Sequence, residues 1–208
     1  MKRYTFIIFA ITAISLFIGY LFVAARSENL QHCDDEYIIS LLGEELFANL
    51  RRANFYSDAI NNPINRRNLT VAYPDFWGGE YINEDGNLVV NIVGTTIILA
   101  EVSKWLDDLL GDDHGVILQH SNFTYRELQH AQHLIFGRLV NNPTNCSTID
   151  MIRQNTSYTS INTALNVVDV RLIDFSENQV ALFREYVLDS AMLSFGQGYE
   201  LTEILDYY

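Results

Sequence analysis

The run from Tyr73 to Val93 limits the possible folds of this chain more than any other stretch. Tyr73, Pro74, Asp75, Phe76, Trp77, Gly78 and Gly79 lead into Glu80 to Asn83; Glu84, Asp85, Gly86 and Asn87 follow, and then Leu88 to Val93. Asp-Gly supplies the positive backbone angles that a tight reversal needs, and both flanks have strand propensity, so the run is a β-hairpin. Gly78 and Gly79 follow aromatic residues and precede a strand, whereas a phosphate loop needs a strand before it and a helix after. They are read as turn residues.

The same vocabulary continues downstream. Ile98, Val102, Trp105, Leu106, Leu109 and Leu110 share a helical face that ends at Gly111, a residue suited to a helix C-terminus. Gly115 to His120 reads as a short strand. Thr124 followed by Glu127 is a capping-box pattern, so a helix begins there and runs through Leu128, Leu134 and Ile135 to about Val140, stopped by Asn141, Asn142 and Pro143. Tyr158 to Asn162 and Val167 to Asp174 form a second hairpin, followed by a helix from Ser176 to about Leu188 and a strand near Met192 to Phe195. Two hairpin, helix, strand units result, alike in element order and not in residue identity. They predict an α+β fold of two small lobes, about 69–142 and 143–208, with mainly antiparallel sheets and helices on one face.

Upstream, Ile38, Leu41, Leu42, Leu46 and Leu50 recur at helical spacing from Asp34 to about Phe55, a stem helix. Asn61 to Asn68 holds Pro63 and four asparagines and reads as a loop that closes the 26–68 stem region. Before it, Met1, Lys2 and Arg3 precede an uncharged run from Tyr4 to Ala25. A charged start followed by an apolar stretch targets a chain to a membrane. Val23 and Ala25 suit signal cleavage before Arg26, and about 20 apolar residues also suffice to span a bilayer, so 1–25 is a signal peptide or a retained anchor. Lys2 and Arg3 stay on the cytoplasmic side in either case, which places the domain outside the cytoplasm, secreted or membrane-anchored.

Thirteen Lys and Arg against 26 Asp and Glu give a net charge of -13, which repels phosphate backbones and anionic lipid surfaces and excludes nucleic acid as a partner class. Cys33 and Cys146 are the only cysteines. They are too few for a paired-cysteine zinc site. In an oxidising compartment they pair and clip the stem to a loop of the domain; in a cell that exports proteins with little disulfide machinery both stay inert thiols.

The Tyr73 to Val93 run, with its Pro-Asp-Phe-Trp-Gly-Gly entry and Leu-Val-Val strand, resembles the region upstream of the protease domain in bacterial secreted trypsin-like peptidases related to alpha-lytic protease. The resemblance extends loosely through Phe123 to Leu128, the hairpin from Ser160 to Asp174, and Asp189 to Phe195, covering roughly Val71 to Gly198. It implies a pro-region, a module that assists folding of its protease and can inhibit it, and not the protease itself. The chain has no glycine-flanked nucleophilic serine of the Gly-Asp-Ser-Gly kind, so no catalytic triad is carried over and no enzymatic activity is expected. No cofactor is implied.

Three other groupings bear on function. Glu127, His130 and His133 stand at three-residue steps on one helix and share a face, the one arrangement that points to a metal-dependent enzyme; a solvated polar face explains it as simply. Asp107, Asp108, Asp112, Asp113 and His114 cluster at a helix end with no calcium-loop spacing and read as a solvated loop. Tyr73, Phe76 and Trp77 read as core rather than as an exposed anchor. The pro-region resemblance makes the last strand and the apolar tail the contact surface, through Phe195, Tyr199, Leu201, Leu205, Tyr207 and Tyr208, adding a strand to a partner's edge. A tail packed on its own domain is the alternative. Two expectations follow: a binding module for a secreted trypsin-like protease, or a surface-interaction domain with no protease contact.

Overall fold

The computed structural model describes residues 35–66, 74–141 and 146–199. Cys33, Tyr73, Leu201, Leu205, Tyr207, Tyr208 and the apolar 1–25 segment lie outside these residues. Among the described residues there are six helices and six strands, and no helix is long and apolar enough to cross a membrane.

The chain divides into two compact units, 1–48 and 49–208. The first holds α1 (Asp35–Leu42), which ends at Gly43, whose φ of +83° breaks the helix before α2 (Glu44–Arg66) begins; residues 49–66 of α2 belong to the second unit. The single stem helix expected from Asp34 to Phe55 is therefore two. Only glycine takes that angle without a steric cost. The loop expected at Asn61 to Asn68 is also corrected, because α2 runs past Pro63 to Arg66. Ile60 is fully buried and the Asn61 amide donates to Glu80, so tertiary contacts hold the helix where composition favours an exit.

The second unit contains two sheets with their helices. β1 (Trp77–Ile82) and β2 (Leu88–Ile92) form the first hairpin. Asn83 Oδ1 accepts from the N–H groups of Asp85 and Asn87, and Gly86 has a φ of +79°. α3 (Thr96–Leu110) ends at Gly111, φ +90°, and crosses to β3 (Ile117–His120). Trp77, Leu88, Val90 and Ile92 of this sheet pack with Val102 and Leu106 of α3 and with Ala53 and Ile60 of α2. Phe76 lies at the margin of this core, so Trp77 and Phe76 are packing residues.

α4 (Tyr125–Asn141) and α5 (Ser147–Asn155) lead to β4 (Thr156–Asn162), β5 (Val167–Leu172), α6 (Glu177–Tyr186) and β6 (Leu193–Gln197). Leu128, Ala131, Ile135 and Leu139 of α4 face Ile149 and Ile152 of α5, Val168, Val170 and Leu172 of β5, and Phe183 of α6. Each fully buried aliphatic side chain here contributes on the order of 2 kcal/mol.

The α+β class and the two hairpin, helix, strand units are as the sequence predicts. The sheets are mixed, however, not mainly antiparallel. In each, the hairpin is antiparallel and the third strand is parallel to its neighbour, in the orders β1-β2-β3 and β4-β5-β6. A helix between β2 and β3, or between β5 and β6, returns the chain to the starting end of the sheet, which fixes the parallel direction.

The two sheets also share their register. The first hairpin has a bulge between Trp77 and Gly79, opposite Ile92 and Asn91; the second has one between Thr156 and Tyr158, opposite Leu172 and Arg171. Ile92 then pairs with His120 as Leu172 pairs with Gln197. Gly79, Val89 and Asn91 thus correspond to Tyr158, Asp169 and Arg171.

Candidate functional site

β6 is an edge strand, paired among the described residues with β5 alone. The Val168 N–H donates to the Met192 carbonyl at 2.8 Å, and the Gly198 N–H donates to the Leu172 carbonyl at 2.7 Å. Backbone groups alternate along a parallel ladder, so those of Phe195 and Gln197, odd-numbered like Leu193, point away from β5 toward the open edge. The Phe195 ring turns the other way. It stands edge-on to Phe183 with centroids 5.4 Å apart, and the Arg184 guanidinium lies 5.1 Å from its centroid. Phe195 therefore turns its backbone to the open edge, while its side chain is committed to the core. Tyr199 is 48% exposed, and its carbonyl accepts from Ser157 Oγ at 2.7 Å, which holds the start of the tail beside β4.

The two lobes meet where the β4–β5 turn sits on the first sheet. Asn166, buried and at a φ of +53°, accepts at Oδ1 from the N–H groups of Asn122 and Phe123 and donates from Nδ2 to the carbonyls of Gly78 and Phe123. The Asn91 amide donates to the Thr163 carbonyl at 2.6 Å. Gly78 and Gly79 are strand residues here, which corrects their reading as turn residues. A Cβ on Gly78 would stand 2.4 Å from Ser121 Oγ, and one on Gly79 would stand 2.8 Å from Thr163 Cγ2. Gly79 leaves room for the second lobe, and Gly78 for the Ser121 and Asn91 side chains within the first.

Glu127, the first residue of the metal grouping, is engaged at the start of its own helix. Glu127 Oε2 accepts from both the N–H and the hydroxyl of Thr124 at 2.8 Å, and the Glu127 N–H donates back to Thr124 Oγ1. This is the capping box that the sequence predicts, and it engages one oxygen of the carboxylate, Oε2. His130 and His133 are exposed on α4. Among the described residues no group of three or more His, Cys, Asp or Glu side chains is placed to hold a metal ion. In the acidic cluster, Asp112 and Asp113 are exposed, while His114 is buried, 3.3 Å from Asp107 Oδ1 through Nε2, with Nδ1 accepting from the Val116 N–H. His114 thus fastens the turn between α3 and β3.

Cys146 precedes the first turn of α5 and packs against the second core. The backbone N–H groups of Ile149 and Thr148 hold its thiol below the usual thiol range. Cys33, its partner in the disulfide reading, lies outside the described residues.

Burial pushes the Glu80 carboxyl above its ordinary value, against the hydrogen bonds from Ser57 and Asn61, which act the other way. Its Oε1 accepts from Ser57 Oγ at 2.5 Å and Asn61 Nδ2 at 2.7 Å, while its Oε2 is buried with no hydrogen-bond partner. On the second sheet, Arg171 Nε and Nη2 donate to the buried Asp169 Oδ2 at 2.8 and 2.6 Å. None of Glu80, Asn91, Asn166, Asp169 and Arg171 stands in a recognisable motif. The left-handed turn residue Asn166 carried the one local signal, an asparagine entering a strand after a four-residue reversal.

Two family models match the chain: the Pro-like N-terminal domain over residues 33–110 and the Pro-like C-terminal domain over residues 126–198. No curated protein matches it. The first match takes in α2 and the first hairpin with α3, and the second takes in α4, both remaining hairpin strands and β6. Domains of this kind associate with a protease domain. The chain therefore carries a Pro-like N-terminal domain followed by a Pro-like C-terminal domain, the make-up of a protease pro-region.

Proposed function

We propose that the chain is an exported, non-catalytic binding module that engages a secreted trypsin-like protease through the open edge of β6 and the tail that follows it. The observation that carries this reading is the outward-facing backbone of Phe195 and Gln197 on an edge strand of the Pro-like C-terminal domain. An edge of this kind adds a strand from a partner by main-chain hydrogen bonds. The Tyr4 to Ala25 segment supports export, and the net charge of -13 disfavours nucleic acid and anionic lipid as competitors for the surface.

The test is inhibition, and recovery from denaturant, of a panel of bacterial trypsin-like proteases by the 26–208 protein, with and without residues 200–208. Tail-dependent inhibition or accelerated recovery supports the module. Absence of binding to every member of the panel overturns it and leaves an exported surface-interaction domain. Export itself is tested by fractionating cells that express the full chain, with the domain expected outside the cytoplasm.

A further inference from the structure

We propose that Glu80 is the catch of a pH-sensitive clasp: with its carboxyl neutral it holds the C-terminal half of α2 on the first sheet, and with its carboxyl ionised it lets that half open. The inference stands apart from the protease-binding reading, because it needs no partner.

The register puts Glu80 where an apolar side chain is the rule. The bulge after Trp77 leaves Trp77, Glu80 and Ile82 opposite Ile92, Val90 and Leu88, and all three of those partners lie in the core that packs against α2 and α3. Cross-strand partners share a face, so Glu80 points into the same layer. On the second sheet the equivalent place, opposite Val170, holds the neutral Thr159. The fold does not need a carboxyl at that point, yet the sheet packed against α2 has one.

α2 supplies the other half of the clasp. Ser57 and Asn61 stand one helical turn apart, and both donate to Glu80 Oε1, at 2.5 and 2.7 Å. Beyond them α2 continues through Asn62 and Pro63 to Arg66, a stretch of low helix propensity in which Pro63 has no backbone N–H to give. Its hold on the sheet comes from the buried Ile60 and from the two bonds to Glu80. Burial of Ile60 opposes opening at every pH, so the carboxyl alone makes the closed state depend on protons.

Ionisation turns this arrangement against itself. Oε2 is buried with no hydrogen-bond partner, and a charge shared by both oxygens needs donors at both. Asp58, exposed on α2 directly after Ser57, adds like-charge repulsion. Among the described side chains no cation meets the carboxyl. Arg51 and Arg52 of α2 are exposed, as are Glu101, Lys104 and Asp108 of α3. Asp107 is engaged by His114, to which Tyr56 also turns its ring. On α4, Arg126 pairs with Asp75 and Tyr125 lies against Gly79; β1 and β2 carry no second charged side chain. Burial outweighs the two hydrogen bonds and holds the carboxyl above the ordinary glutamate value. The closed state therefore binds the proton more tightly than the open one, and the clasp is complete below the ordinary value and lost as pH rises through the raised one. Opening is local, because Trp77, Val90 and Ile92 also pack on Val102 and Leu106 of α3.

The experiment is amide hydrogen exchange of the 26–208 protein at about pH 4, 6 and 8, each rate divided by its intrinsic chemical rate, for the unaltered chain, Glu80→Gln and Glu80→Thr. Glu80→Thr installs the residue that the second sheet uses at this place, so the test survives a failure of Glu80→Gln to fold. In the unaltered chain the protection of amides in 57–66 is expected to fall roughly tenfold or more between the ends of that range, while amides of β2 keep theirs. In both variants the protection of 57–66 is expected to be independent of pH. Constant protection in the unaltered chain, or the same fall in the variants, overturns the clasp. An equal fall in β2 also overturns it, because the whole lobe and not the helix half would then be opening.

Discussion

The side-chain amide of Asn166 donates to the carbonyl of Gly78 at 3.2 Å, across 88 positions of sequence. This bond belongs to a set of four that spends the full capacity of one buried amide on the junction of the two lobes. Asn166→Ala removes all four and places alanine at a left-handed angle, so a loss of about 3 kcal/mol is expected. Asn166→Gly removes the same bonds and tolerates the angle, so it is expected to recover about 1 kcal/mol of that loss. Chemical denaturation of the two variants separates the backbone contribution from the side-chain one.

Gly79 has a φ of +101° and no space for a Cβ beside Thr163 and Tyr125. Gly79→Ala is expected to cost about 2 kcal/mol from strain and crowding together. Adding Thr163→Ser removes the Cγ2 that the new methyl meets, so the double variant is expected to be more stable than Gly79→Ala alone. Equal stabilities in a melting experiment would mean that backbone angle, and not the neighbouring lobe, requires glycine there.

Glu80 makes stability depend on pH in a defined direction. Its folded-state value is raised by burial, so folding favours the protonated carboxyl. The contribution is complete below the unfolded glutamate value and is lost as pH rises through the folded one. Urea midpoints measured from acid to neutral pH are expected to contain a falling component that Glu80→Gln lacks. A variant profile parallel to the unaltered one across that window would refute the assignment.

The reciprocal bonds of Thr124 and Glu127 fix the start of α4. Thr124→Ala and Glu127→Ala are each expected to cost about 1 kcal/mol, and the double variant less than their sum, because each bond needs both partners. Added zinc is expected to leave the melting temperature unchanged in the unaltered chain and in His130→Ala with His133→Ala. A zinc-dependent rise lost in the histidine variant would establish the metal reading.

In the reduced protein, Cys146 is expected to react with iodoacetamide at a lower pH than a free model thiol, because the Ile149 and Thr148 N–H groups favour its thiolate. Protein recovered from an oxidising compartment is expected to resist alkylation at both Cys33 and Cys146 until a reductant is added. Full alkylation without reductant would exclude the disulfide.

Features whose cause is local were legible in the sequence. Asp85 and Gly86 announced the first hairpin, Gly111 the end of α3, and Thr124 with Glu127 the start of α4. α5 was missed because its nine residues bury only Ile149 and Ile152, too short a stripe to declare a period. Pro63 and the asparagines misled because the contact that keeps α2 helical, Asn61 to Glu80, lies 19 positions away. The pro-region resemblance was carried by the Trp77 motif, yet what its glycines do depends on Asn166 and Thr163, which no local pattern connects to them.

β6, the edge strand of the second sheet, can meet β5 only after α6 and its flanking turns have closed the crossover, whereas β4 and β5 need only a short reversal. Closure entropy therefore falls most heavily on the parallel pairing. Its amides should exchange with solvent before those of the hairpin, opening without unfolding the rest. A protease that adds a strand there would slow that opening and stabilise the module as it is itself engaged, so the benefit of the complex would run in both directions.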